Sequence, residues 1–278
     1  MSKLAAADNY LLEEQLPHFW CSGCGNGIIL QAIARAMAEL KLKKEKTVVV
    51  TGIGCWGKAD DYLDTNSLHG THGRALSFAT GVKAGNPELT VLALMGDGDG
   101  ATIGGNHLIH AARRNIEVTA IVSNNFNYGM TGGQYSATTP GEGKTSTSCY
   151  GNVEEDFDLC RLAEAAGAGF VARSTVYHVN QLKNLIVEAL QQQCFSLIDV
   201  MSSCPTYFGR LNDLQTPGAM LDWFKERAVK SSRYQKLPPE EQQDKIEVGR
   251  LVQREVDGFT TRYQLVQKRA QACLEGGD

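Results

Sequence analysis

Four short apolar runs, each ending in glycine or a polar residue, constrain this chain more than any other feature. They are Thr47 to Thr51, Thr90 to Met95, Glu117 to Ser123 and Phe195 to Met201, all rich in β-branched and aliphatic side chains. Runs of this length bounded by breakers read as strands buried on both faces. A shorter run, Gly169 to Arg173, reads the same way. Between the runs, apolar residues recur at spacings of three and four in 26–40, 73–83, 100–114, 156–166 and 178–191. These segments are predicted helices, with Asp156 as the cap of the fourth. Strand and helix alternate, so the fold class is α/β with a doubly wound, mostly parallel sheet. Residues 125–155 form a long Gly/Ser/Thr-rich loop, a length that usually signals function. Beyond Thr216 the chain is charged and predicted helical, with a break at Pro238-Pro239. The organisation expected is therefore an α/β domain over 1–215 and a helical C-terminal extension over 216–278.

Charge and composition exclude several classes of function. A net charge of −4 with interleaved signs leaves no nucleic-acid face. The nearest basic run, Lys41 to Lys46, reads as a solvated helix end whose lysines complement free carbonyls. No stretch approaches the roughly 18 apolar residues of a membrane span. Met1 to Asn9 lacks the grammar of a signal peptide, so a cytoplasmic location is expected. In that compartment the 8 cysteines are not expected to form disulfides, which leaves metal, redox and core roles.

The chemistry-bearing residues follow the strands, where doubly wound sheets gather ligands. Gly52-Ile53-Gly54-Cys55 follows the first run, Gly96-Asp97-Gly98-Asp99 the second, Asn124-Asn125 the third and Ser202-Ser203-Cys204-Pro205 the last. Mg²⁺ takes hard oxygen ligands and shares them with phosphate. Asp97 supplies a charged ligand, Asn125 an amide oxygen, and the Asn127 carbonyl is two residues on, within reach if the segment is extended. Gly96 and Gly98 let the backbone approach a diphosphate, and the helix starting near Gly100 offers free N–H groups to it. Asp99 is a second polar anchor. A Gly-Asp-Gly turn is common by itself; the paired Asn after a second strand makes it informative.

Trp20-Cys21-Ser22-Gly23-Cys24-Gly25 is a CxxC between small residues. By itself it fits zinc, a redox dithiol or an iron–sulfur cluster. No second CxxC follows, as a four-thiolate zinc ribbon would need. Cys55 in the first ligand loop and Cys204 at a Cys-Pro junction complete a candidate set of four. Cys149, in the polar loop, is the rival for the fourth place. Cys160, Cys194 and Cys273 read as structural.

Gly96-Asp97-Gly98 with Asn124-Asn125 resembles the thiamine-diphosphate signature. Together with Trp20 to Gly27, Gly52 to Lys58, His69 to Arg74 and Asn125 to Gln134, it makes residues 17–210 similar to β subunits of 2-oxoacid:ferredoxin oxidoreductases. The resemblance implies a thiamine-diphosphate-binding fold. It implies that Cys21, Cys24, Cys55 and Cys204 hold one [4Fe–4S] cluster. It implies that Ile53, Gly54, Cys55, Trp56, His72, Gly98, Asp99, Gly129 and Met130 line thiamine diphosphate, and that Asp97, Asn125 and Asn127 bind Mg²⁺. Lys58 would receive the 2-oxoacid carboxylate and His72 would contact phosphate or substrate; a surface ion pair with Asp60 or Asp61, and a solvated loop histidine, are the plain readings of those two residues. The chain carries no glutamate of the kind that activates the aminopyrimidine, so the resemblance implies an α subunit with the pyrimidine half-site and the CoA site, two αβ units per assembly, and ferredoxin as electron acceptor. The activity implied is CoA-dependent oxidative decarboxylation of 2-oxoglutarate, or of pyruvate. A non-redox thiamine decarboxylase half and a zinc-stabilised scaffold are the competing readings.

Overall fold

The computed structural model describes residues 3–275. The expected sheet is present and larger than expected. Its strands are β1 (Thr47–Thr51), β2 (Asn66–His69), β3 (Thr90–Gly96), β4 (Thr119–Asn124), β5 (Phe170–Thr175), β6 (Ser196–Met201), β7 (Ala228–Lys230) and β8 (Ile246–Gln253). Their order is β2-β1-β3-β4-β6-β5-β8-β7. Neighbours run parallel except β5 and β8.

The helices are α1 (Lys3–Asp8), α2 (Asn26–Leu40), α3 (Ala75–Gly85), α4 (Gly105–Arg114), α5 (Leu159–Ala165), α6 (Val179–Leu190), α7 (Pro217–Arg227), α8 (Ser231–Tyr234), α9 (Pro239–Gln242) and α10 (Phe259–Glu275). Alternate strand residues feed two cores. Val49, Leu92, Leu94, Ile121 and Ile198 pack beneath α2 and α6. Val48, Val50, Val91, Ala93, Ala120 and Val122 pack beneath α3, α4 and α5. Burial on both faces is why these strands read as unbroken apolar runs, and each buried Val or Leu contributes roughly 1.5–3 kcal/mol.

Three expectations are corrected. Asp156 is not the cap of the fourth helix: Asp158 is, accepting from the backbone N–H of Cys160 and Arg161, so the helix starts two residues later. Residues 216–275 are not purely helical, because β8 adds an antiparallel edge to β5. Its alternating Ile246-Glu247-Val248 pattern carries that signal, obscured by the surrounding charge. The segment Asn125 to Asn127 is not extended either: Phe126 has φ +66°, a left-handed conformation rare for a bulky residue. β2 has only one half-buried apolar side chain, Leu68, so no periodicity announced it.

The chain leaves β1 toward one side for β2 and returns to the other for β3. The order reverses between β1 and β3, and the crevice outside their carboxyl ends is where a doubly wound sheet takes its ligand. The loops entering that crevice are Gly52 to Trp56 and Gly96 to Asp99.

Candidate active site

The crevice is walled by the loop after β1, the Gly96 to Asp99 turn, His72, and the first residues of the long loop, Asn125 and Asn127 to Thr131. At its floor lies Asp97, 1 % exposed. Its Oδ2 accepts from the hydroxyls of Ser136 at 2.5 Å and Thr138 at 2.8 Å. Its Oδ1 is left to face Asn125. The side-chain oxygen of Asn125 is 3.2 Å from Asp97 Oδ1 and 2.8 Å from the Asn127 carbonyl oxygen. With no cation between them the amide can turn over and donate to both. With one, the amide oxygen of Asn125 would stand about 3 Å from each of the other two, the separation that adjacent ligands of octahedral Mg²⁺ adopt. The left-handed Phe126 allows this in a kinked segment, and the Thr139 hydroxyl holds its carbonyl at 2.7 Å. Burial pushes the Asp97 carboxyl up to about 6, against the hydrogen bonds it accepts. A carboxylate so desolvated favours a bound cation.

Asp99 organises the opposite wall. Its Oδ1 accepts from Gly73 N at 2.6 Å, His72 Nδ1 at 2.6 Å and Ile53 N at 3.2 Å. One buried carboxylate thus ties the loops after β1, β2 and β3 together. Its Oδ2 is buried without a partner. Gly52 must be glycine: a β-carbon there would lie 1.9 Å from Asp99 Oδ2. With Nδ1 engaged, His72 has Nε2 left for a ligand. The Tyr128 ring packs on Gly98, where a β-carbon would come within 2.5 Å of it.

The cysteines meet beside this crevice. Gly25 N donates to Ser203 O at 3.0 Å and the Ser203 hydroxyl to Gly23 O at 2.9 Å, which stitches the CxxC loop to the loop after β6. Trp20 Nε1 donates to Cys55 O at 2.6 Å and its ring packs on Trp56 and Tyr62, which fixes the loop after β1 against the same place. Burial, with the neighbouring cysteines adding to it, pushes the Cys24 thiol up to about 12 and the Cys55 thiol up to about 11. Burial also raises Cys204, opposed by the backbone N–H groups of Tyr207 and Phe208. Thiols held neutral in this way become thiolates only beside a strong Lewis acid. Gly129 borders both the crevice and the cysteines: a β-carbon on it would lie 3.5 Å from Cys55 Sγ, 3.8 Å from Asn127 Oδ1 and 4.0 Å from Cys204 Sγ. Among the described residues no three His, Cys, Asp or Glu side chains lie close enough to hold a single metal ion.

Ile53, Gly54, Cys55, Trp56, His72, Gly96, Asp97, Gly98, Asp99, Asn125, Asn127, Gly129 and Met130 all border the crevice. Cys21, Cys24 and Cys204 gather behind it, whereas Cys149 is exposed. Lys58 does not border it: its ammonium pairs with Asp61 at 2.8 Å on the short helix Trp56–Tyr62. Four residues escape a reading of the sequence. Tyr128 and Thr131 border the crevice, and Ser136 and Thr138 sit under it. Only the hydroxyl density of the loop hinted at the last two.

Residues 50–200 match the family of thiamine pyrophosphate enzyme C-terminal TPP-binding domains. The 2-oxoglutarate synthase subunit KorB of Methanothermobacter thermautotrophicus is 48% identical over 88% of this chain and 86% of its own length. KorB of Archaeoglobus fulgidus is 54% identical over 72% of this chain and 74% of its own. The solved 2-oxoglutarate:ferredoxin oxidoreductase of Magnetococcus marinus, with 2-oxoglutarate, coenzyme A and succinyl-CoA bound, superposes with a TM-score of 0.86 at 29% identity, covering 95% of this chain and 90% of that one.

Proposed function

This chain belongs to the β-subunit family of the 2-oxoacid:ferredoxin oxidoreductases, and from that premise we propose that, with an α subunit, it interconverts 2-oxoglutarate plus CoA and succinyl-CoA plus CO₂, exchanging electrons with ferredoxin. The choice of 2-oxoglutarate over pyruvate rests on the KorB relatives. The observation that carries the redox reading is Cys55, which borders the crevice while its sulfur, like that of Cys204, faces Gly129.

Thiamine diphosphate supplies a nucleophilic thiazolium carbon for cleaving the bond to CO₂, and a [4Fe–4S] cluster supplies one-electron acceptance. Asp97, Asn125 and the Asn127 carbonyl would hold Mg²⁺. Cys21, Cys24, Cys55 and Cys204 would hold the cluster. Gly96 leaves open space for the cofactor, and Asp99 holds His72 through Nδ1, which leaves Nε2 for a contact with it. Lys58 would receive a substrate carboxylate by leaving Asp61. A half-exposed ion pair is worth at most about 1 kcal/mol, so the exchange is easy. The α subunit would supply the pyrimidine half-site and the CoA site, in an assembly of two αβ units. All proposed ligands precede residue 216, which makes the division there one of function.

Anaerobic co-purification with the α subunit, followed by iron, sulfide and thiamine analysis, tests this reading. A brown complex that reduces ferredoxin only with 2-oxoglutarate and CoA is expected. A colourless, fully active preparation would overturn the cluster assignment.

A further inference from the structure

Asn127 belongs to two sites at once. Its backbone carbonyl oxygen lies 2.8 Å from the Asn125 side chain at the cation site. Its carboxamide reaches the cysteines, with Oδ1 3.8 Å from Cys204 Sγ. The side chain is buried, and Nδ2 donates to the Asn125 carbonyl at 2.7 Å across the left-handed Phe126. Turning the amide over would set Oδ1 against that carbonyl, acceptor on acceptor, so the oxygen is the end that faces sulfur. With Cys204 as a thiol this contact is a hydrogen bond, the S–H donating to Oδ1. A thiolate bound to iron has no proton to give. The contact then sets the negative end of a fixed amide dipole against an electron-rich sulfur. The backbone N–H groups of Tyr207 and Phe208 approach the same sulfur with the opposite polarity. Hydrogen bonds to cluster sulfurs are one determinant of reduction potential, and a donor favours the reduced state because that state is the more negative. An acceptor oxygen works in the other direction, and water screens it little at a buried site.

We propose that Asn127 is a positioning residue for electron transfer: its carboxamide holds an acceptor oxygen on Cys204 and lowers the reduction potential of the cluster that Cys204 helps to hold. This rests on the functional reading above, in which Cys21, Cys24, Cys55 and Cys204 carry a [4Fe–4S] cluster. A lower potential makes that cluster a stronger donor toward ferredoxin. Asn127 itself exchanges neither electron nor proton; it biases a one-electron step through its dipole. The turn that locks the carboxamide also carries the carbonyl proposed for Mg²⁺, so the cation that anchors the cofactor steadies the dipole as well.

Asn127→Leu keeps the size of the side chain and removes the dipole. In the αβ complex purified anaerobically, a potentiometric titration followed by electron paramagnetic resonance reads the reduced-to-oxidised ratio of the cluster at a fixed applied potential. A ratio raised at least threefold over the wild type is expected, which is about 28 mV at the 59 mV per tenfold of a one-electron couple. Asn127→Ala should move the ratio in the same direction by the same criterion, and it decides the matter where leucine prevents folding or cluster loading. A ratio raised less than threefold overturns the proposal. A lowered ratio also overturns it, and would mean that the amide gives its nitrogen to the sulfur. The functional reading fails separately: a wild-type complex without iron and sulfide refutes the cluster and this proposal with it. A loaded wild type beside a loaded variant of unmoved potential refutes the role of Asn127 alone.

Discussion

Ser136 donates to Asp97 Oδ2 across 2.5 Å, although 39 residues separate them in the chain. With Thr138 on the same oxygen, it occupies one half of the carboxylate and leaves Oδ1 to Asn125, whose backbone N–H donates to it at 3.3 Å and whose side-chain amide lies 3.2 Å away. The carboxylate is thus held through one oxygen by the same long loop that carries Asn125 and Asn127.

Replacing Ser136 with alanine should loosen that arrangement. A hydrogen bond to a charged group is worth about 2 kcal/mol, so Mg²⁺-dependent thiamine diphosphate affinity should fall roughly tenfold to thirtyfold. Isothermal titration of S136A with thiamine diphosphate and Mg²⁺ measures it, and an unchanged affinity would show that Thr138 suffices.

Asp97→Asn should abolish cation-dependent cofactor binding and yet stabilise the cofactor-free protein at neutral pH. The carboxyl is raised from 3.8 to about 6 in the folded chain by burial. A group whose folded pKa is raised stabilises fully below its unfolded pKa, and that stability is lost as pH rises through about 6. At pH 8 the loss is about 3 kcal/mol. Thermal melts of cofactor-free wild type should therefore decline between pH 4 and pH 7 through this group, and D97N should melt higher at pH 8. A lower melting temperature for D97N there would contradict the account.

Gly52→Ala probes the other wall. The added carbon would meet Asp99 Oδ2 at 1.9 Å, and Asp99 cannot swing away without releasing Gly73, His72 and Ile53. Cofactor affinity should drop by at least a hundredfold with the fold retained, as read by cofactor titration beside circular dichroism. Binding within threefold of wild type would mean that the carboxylate is not the hub described.

Iron and sulfide content separates the fourth thiol from its rival. Cys204→Ala should lose the cluster and its visible absorbance, whereas Cys149→Ala should keep both, because Cys149 is exposed on the loop and Cys204 lies among the other three thiols. The opposite pattern would move the fourth ligand.

Arg173 offers a stability test remote from the site. Its guanidinium bridges Asp199, fully buried, at 2.9 Å and Asp158 at 2.6 Å. Arg173→Met would strand a buried charge and should cost roughly 3–5 kcal/mol in urea unfolding. A cost under 1 kcal/mol would mean that Asp199 is neutral in the fold, in keeping with the upward push that burial gives its carboxyl.

The sequence by itself determined the strands buried on both faces, the order of strand and helix, and the placement of Asp97, Asn125 and Cys55 just beyond strand ends. These are local matters, because an apolar run and the residue that ends it are neighbours in the chain. Tertiary structure alone decided what distant segments do to one another. It closed the CxxC onto Cys204 through Ser203, nearly 180 residues away. It gave Lys58 to Asp61, brought Ser136 beneath Asp97, and placed β8 on β5, where charge had masked its alternation. No period or propensity encodes such contacts, since each depends on how two separately formed elements pack on the shared sheet.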